Sequence, residues 1–174
     1  MRSSLKKRII ILLVIIFGGL SITRIMYINS RQHVRKVHTY KAGETFEYDH
    51  FQIKAADVNI YSADNMRDMY KEIPKEVLAE NEIVIKLEVK NIADEERMFH
   101  IAPFTLQVGI ENGGAIDPYV YPYLNPGLSG KISFEEEETQ AVMLVYPIER
   151  AALEAKEQIK LILSLYPEKY EIRL

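Results

Sequence analysis

The stretch "EIVIKLEVKN", residues 82–91, sets Ile83, Ile85, Leu87 and Val89 in alternation with Val84, Lys86, Glu88 and Lys90. A period of two places the first set on one side of an extended chain and the second, mostly charged, on the other. That pattern fits a strand with one face in a core and one in water. It recurs as Phe104, Leu106, Val108 and Ile110, as Val142, Leu144 and Tyr146, and as Ile159, Leu161, Leu163 and Leu165. Shorter candidates are residues 46–48, 51–61, 131–134 and 170–174.

Asn112-Gly113-Gly114 and Asn125-Pro126-Gly127 interrupt apolar runs with residues suited to chain reversal. About seven or eight strands with little helix predict an all-β, two-sheet antiparallel sandwich over residues 43–174. Two segments depart from this. In "NMRDMYKEIPKEVLAEN", residues 65–81, Met66, Met69, Tyr70 and Ile73 fall at helical spacing before Pro74, which predicts a short helical insert whose apolar face caps the sandwich. "ERAALEAKEQ", residues 149–158, is rich in helix formers and predicts one or two further turns.

Charge divides the chain at Gly43. Residues 1–42 carry nine Lys and Arg and no acid, whereas residues 43–174 carry all 25 Asp and Glu against 13 bases, so +9 is joined to −12. The basic part opens with residues 1–8 and continues into an apolar run from Ile9. Up to Ile22 this run is 14 residues long and rises about 21 Å as a helix, the length of a signal peptide; continued to Ile28 it reaches about 30 Å, enough to cross a bilayer. Gly19 and Ser21 give a poor cleavage site. The reading adopted is an uncleaved signal anchor over residues 9–28, a single N-terminal transmembrane helix, with a cleaved peptide and then a buried core helix as the alternatives.

Bases flank the run on both sides, so charge alone leaves its orientation open. The absence of cysteine removes a lipid-modified N-terminus and is equally compatible with an external protein that uses no disulfides and with a cytosolic one. Residues 29–42, "NSRQHVRKVHTYKA", lack a helical apolar face and read as a basic stalk. It is either a solvated tether, or a segment whose Arg31, Arg35, Lys36 and Lys41 contact anionic lipid or a wall polymer.

Few residues suggest chemistry. His33, His38, His50 and His100 lack the spacing of a zinc site, and there is no thiol, phosphate loop or nucleophile elbow, so neither catalysis nor a cofactor or metal is expected. An acidic head argues against nucleic acid. Glu135 to Glu138, read as a strand end, would point to alternate sides and not converge on a cation. In "IDPYVYPYLNP", residues 116–126, Tyr119, Tyr121 and Tyr123 are spaced by two, and Pro118, Pro122 and Pro126 favour extension. An extended chain would turn three rings to one side, to cover the sandwich or to bind a peptide or glycan.

"IVIKLEVKNIADEERMFHIAPFTLQVG", "YLNPGLSGKISFE" and "AVMLVYP" together resemble the immunoglobulin-like domains of uncharacterised exported proteins of Gram-positive bacteria, a group of membrane-anchored proteins and lipoproteins that includes related secreted mycobacterial antigens. The shared pattern is an alternating strand ending in "KN", an acidic turn, an "FTL" strand and a "PG…G" turn before a strand with a central Phe. The resemblance covers roughly residues 43–174 and implies an exported immunoglobulin-like sandwich; it carries over no catalytic residue. The expectation is therefore a single-pass, membrane-anchored domain outside the cell that works by binding or assembly with an envelope protein, peptide or glycan. If the N-terminal segment is cleaved, the domain is secreted. The alternative is a cell-envelope enzyme, or an accessory subunit of one, with a carboxylate site hidden from the sequence.

Overall fold

The computed structural model describes residues 17–27, 36–109, 111–154 and 158–174, without the side chains of 111–113. The chain divides into two units, Met1–Lys36 and Val37–Leu174. In the first, residues 17–27 form helix α1. Among the described residues no helix is long and apolar enough to cross a membrane. The remainder of the expected anchor, residues 9–16 and 28, and the stalk residues 29–35 with Arg31 and Arg35, lie outside the described residues.

The second unit holds eleven strands among its described residues: β1 (Val37–Lys41), β2 (Thr45–Tyr48), β3 (Phe51–Ser62), β4 (Asn81–Asn91), β5 (Arg97–His100), β6 (Thr105–Val108), β7 (Glu111–Ala115), β8 (Lys131–Phe134), β9 (Thr139–Pro147), β10 (Ile159–Ser164) and β11 (Lys169–Arg173). They form a five-stranded sheet β1-β11-β10-β6-β7, a four-stranded sheet β2-β3-β4-β9 and a small β5-β8 pair. The mostly-β expectation holds, but the strands exceed the seven or eight expected, and the larger sheet is mixed because β1 runs parallel to β11. Residues 37–41, read from sequence as the end of the stalk, are therefore a strand. His38 stacks on Tyr170 at 4.4 Å and Tyr40 on Phe46 at 3.9 Å, so alternate residues of β1 supply an aromatic face that two rings among polar neighbours do not announce in the sequence.

The alternation of 82–91 gives the register. Ile83, Ile85 and Leu87 on β4 lie opposite Tyr146, Leu144 and Val142 on β9, all essentially without solvent contact. Both main sheets feed this core: Leu161, Leu163 and Ile172 from the larger one join Ile53, Ile85 and Leu87 from the smaller. At one end Phe99 is the hub of an aromatic cluster, with ring centroids 4.9 Å from Phe51, 5.6 Å from Phe104 and 6.0 Å from Phe134. These edge-on geometries suit aromatic quadrupoles.

Asn91, the last residue of the "KN" pair, is fully buried and organises the adjoining turns. Its amide nitrogen donates to the carbonyls of Glu95 (2.8 Å) and Glu135 (3.0 Å), and its oxygen accepts from Ala93 N–H at 3.0 Å. One side chain thus satisfies backbone groups of two loops that would otherwise be buried unpaired. Asn91→Leu is expected to destabilise the fold by about 2 to 4 kcal/mol in a denaturant titration, because the same atoms are then left without partners.

Other expectations need correction. The reversal expected at Asn112-Gly113-Gly114 falls inside β7, and the β6–β7 turn instead uses Gly109, whose φ is +59°. Residues 135–138 are a turn and not a strand end, with Glu137 at φ +58°. Glu138 accepts from the Glu135 N–H at 2.7 Å, and Glu137 pairs with Lys90. The helix predicted at 149–158 is seen over Arg150–Glu154; residues 155–157 lie outside the described residues.

Candidate functional site

Val84 is the residue of 82–91 that breaks the polar side of the alternation, and it lies opposite Val145 on β9. Both are buried although they face the opposite side of the sheet from Ile83 and Ile85, so this half of the smaller sheet is covered on its outer side. The cover comes from two insertions: helix α2 (Ala63–Met69), with the turn Lys75–Val77 after it, and the segment around helix α3 (Tyr121–Leu124). The Ser62 hydroxyl caps α2 by accepting from Asn65 N–H at 3.3 Å, and Pro74 prevents its continuation. Met66 and Ile73 are buried beneath it as the helical spacing predicts, but Met69 is 57% exposed.

The 116–126 segment is not extended. The Asp117 carboxylate accepts from the N–H groups of Tyr119 (2.8 Å) and Val120 (3.0 Å), folding the chain into a turn that leads directly into α3. Pro122 lies in the first turn of α3, where its missing N–H removes no intrahelical bond. The three tyrosines therefore separate: Tyr121 is 7% exposed and donates its hydroxyl to the Ser129 carbonyl at 3.3 Å, while Tyr119 is 69% and Tyr123 40% exposed. Asp117-Pro118 is the local signal for this turn, and it prevails over the extension that the spacing of the prolines favours.

This segment also closes the free edge of β9. The Asn125 amide donates to the Met143 carbonyl and accepts from the Met143 N–H, both at 2.8 Å, and the Asp117 N–H donates to the Val145 carbonyl at 2.8 Å. An edge strand that would otherwise invite pairing is thereby occupied. Between the two insertions Met69, Tyr70, Lys71, Glu72, Ile73 and Tyr123 line a cleft of about 330 Å³.

Beneath the cover lies Glu82, 0% exposed, on the outer side of β4. One carboxylate oxygen accepts from the Ala79 N–H at 3.0 Å, and among the described residues the other has no hydrogen-bond partner. Burial, with Asp117 as a further negative neighbour, pushes this carboxyl up to about 7 against the opposing hydrogen bond from Ala79. Alternation alone places Glu82 with Lys86 and Glu88 in water; the insertions bury it.

The four histidines do not converge. His38 pairs with Glu168 at 2.7 Å, His50 occupies the β2–β3 turn, His100 is exposed on β5 and His33 is outside the described residues. Among the described residues no group of three or more His, Asp or Glu is placed to hold a metal ion. Of the expected polyanion contacts, Lys36 is exposed just before β1 and Lys41 is the last residue of that strand.

No family model matches the sequence, and no curated protein is significantly similar to it. Solved structures are similar. The yjhA protein of Bacillus subtilis superposes with a TM-score of 0.51 at 14% identity, covering 78% of this chain and 98% of that one. An uncharacterised β-sandwich protein of Clostridium difficile gives 0.48 at 15% identity, over 83% and 98%. A functionally unknown protein of Listeria monocytogenes gives 0.46 at 17% identity, over 69% and 71%. The likeness to yjhA shows a shared fold and nothing of activity.

Proposed function

We propose that the chain is a single-pass membrane protein of the bacterial surface whose immunoglobulin-like head is external and works by recognition, with the α2–α3 cover as its binding face. The observation that carries this reading is the cleft between the insertions, where Tyr123 and Met69 stand exposed beside Tyr70, with Tyr119 exposed on the same α3 segment. Rigid aromatic rings with a polar tip, flanked by one adaptable methionine, suit a peptide segment of an envelope protein or a glycan. Carboxylate chemistry has less support. Glu82 lies sealed under the cover and Asp117 is engaged in holding a turn, so the two do not open together onto a cleft. The anchor rests on the uncharged run after Lys6, Lys7 and Arg8; mass measurement of the native protein should find its original N-terminus in the membrane fraction, and a mature chain beginning near Ile22 would reject it.

A photo-crosslinking residue placed at 123 in living cells tests recognition. Tyr119→Ser with Met69→Ser is expected to abolish the crosslink while moving the melting temperature by only a few degrees, since both side chains are exposed. Tyr121→Ser, by contrast, should destabilise by roughly 3 kcal/mol as a buried ring is lost. A crosslink indifferent to the double change would remove the cleft as the binding face.

A further inference from the structure

The outward side of the larger sheet carries a charge pattern opposite to that of the head. Lys41 on β1 lies directly opposite Arg173 on β11, and Arg173 directly opposite Lys160 on β10. Of their neighbours in sequence, Ile172 and Leu161 belong to the core and Tyr40 packs against it, so all three cations face away from it. Strands about 4.8 Å apart make this a row about 10 Å long. Gln107 on β6, opposite Lys160, continues it.

Like charges directly opposite one another on neighbouring strands repel, and among the described residues no side-chain ion pair is formed by Lys41 or Arg173. The acid of this face, Glu171, is buried one pleat away. It accepts from Lys160 (3.1 Å), Lys169 (2.6 Å) and Thr39 (3.1 Å). The face thus presents four bases, Lys41, Lys160, Lys169 and Arg173, to one acid of the sheet, with Glu44 at its edge accepting from the Lys41 backbone N–H at 2.8 Å, on a domain whose net charge is strongly negative. Glu171 holds two lysine heads against the sheet and leaves Lys41 and Arg173 exposed beside them.

We infer that the row Lys41–Arg173–Lys160 binds a linear phosphodiester polymer, laid across β1, β11 and β10 with successive phosphates on successive cations. Charge complementarity selects the polyanion, and the linear register of the cations selects a chain over a single phosphate. Lys41 sits at the end of β1 away from Val37, where the chain enters this domain. The preference for a polymer over a lipid headgroup comes from the linear register alone and not from the proposed location, so a purified protein tests it.

The test uses the full chain in detergent micelles, titrated with poly(glycerol phosphate) over a range of salt concentrations, and in parallel with phosphatidylglycerol vesicles. Lys41→Ser with Arg173→Ser is expected to weaken polymer binding at least tenfold and to lower the slope of log K against log salt by about 1.4, two single-strand phosphate contacts. An unchanged melting temperature shows that the fold is intact. Polymer binding that survives the double change and disappears when Arg31, Arg35 and Lys36 are replaced would overturn the inference. So would a double variant that loses vesicle binding while keeping the polymer.

Discussion

Phe99→Ala is expected to destabilise the domain by about 3 to 5 kcal/mol, the range for removing a large ring from a packed interior. Phe99 has almost no solvent contact and its ring meets Phe51, Phe104 and Phe134, so a cavity there removes contacts from β3, β8 and the start of β6 together. Leu87→Ala, one sheet position in from the polar side, should cost about 2 to 5 kcal/mol, whereas Lys86→Ala should stay within about 0.5 kcal/mol of the parent. Chemical denaturation measures all three. Equal effects at Leu87 and Lys86 would mean that the β4 register is wrong, since adjacent residues of a strand occupy opposite faces.

The second large effect is conditional on pH. Glu82 titrates near 7 in the folded chain, against an ordinary carboxyl value near 4.3 in the unfolded one. Below that ordinary value both states are protonated and the group has no influence on stability. As pH rises toward 7 the unfolded chain loses its proton first, so ionisation progressively favours unfolding, and above the folded value the loss levels off. At about 1.4 kcal/mol per unit, the loss amounts to about 4 kcal/mol. Glu82→Gln keeps an acceptor for the Ala79 N–H and cannot ionise. It should be nearly neutral at pH 4 and stabilising by up to about 4 kcal/mol at pH 8, read from melting curves at the two values. A gain of the same size at both would show that the carboxyl is not the cause.

Glu82 also marks a limit of what alternation can reveal. Its neighbours Ile83, Ile85, Leu87 and Val89 were assigned inward by a period of two and are inward, because that period is a property of the extended backbone itself. Whether the other side meets water depends on residues distant in sequence. α2 and the α3 segment cover Val84 and Glu82, and Val84 was the local hint. The tyrosines show the same limit: spacing by two gives a common face only if the chain is extended, and the hydrogen bonds of Asp117 bend it.

Leu165, expected inward with Leu161 and Leu163, is instead 49% exposed past the end of β10. By itself the sequence determined the β architecture of residues 43–174, the inward residues of β4 and β9, the short helix before Pro74 and the division between a basic N-terminal part and an acidic head. All of these follow from local periodicity, propensity or charge, which act within a few residues. The tertiary structure alone decided that 37–41 is a strand, since its partner β11 lies some 130 residues away. It likewise buried Glu82, separated Tyr121 from Tyr119 and Tyr123, and aligned Lys41, Arg173 and Lys160 in one row. Those four outcomes depend on which strands pair and what covers them, and pairing between remote segments is settled by the packing of the whole core and not by any window of the chain.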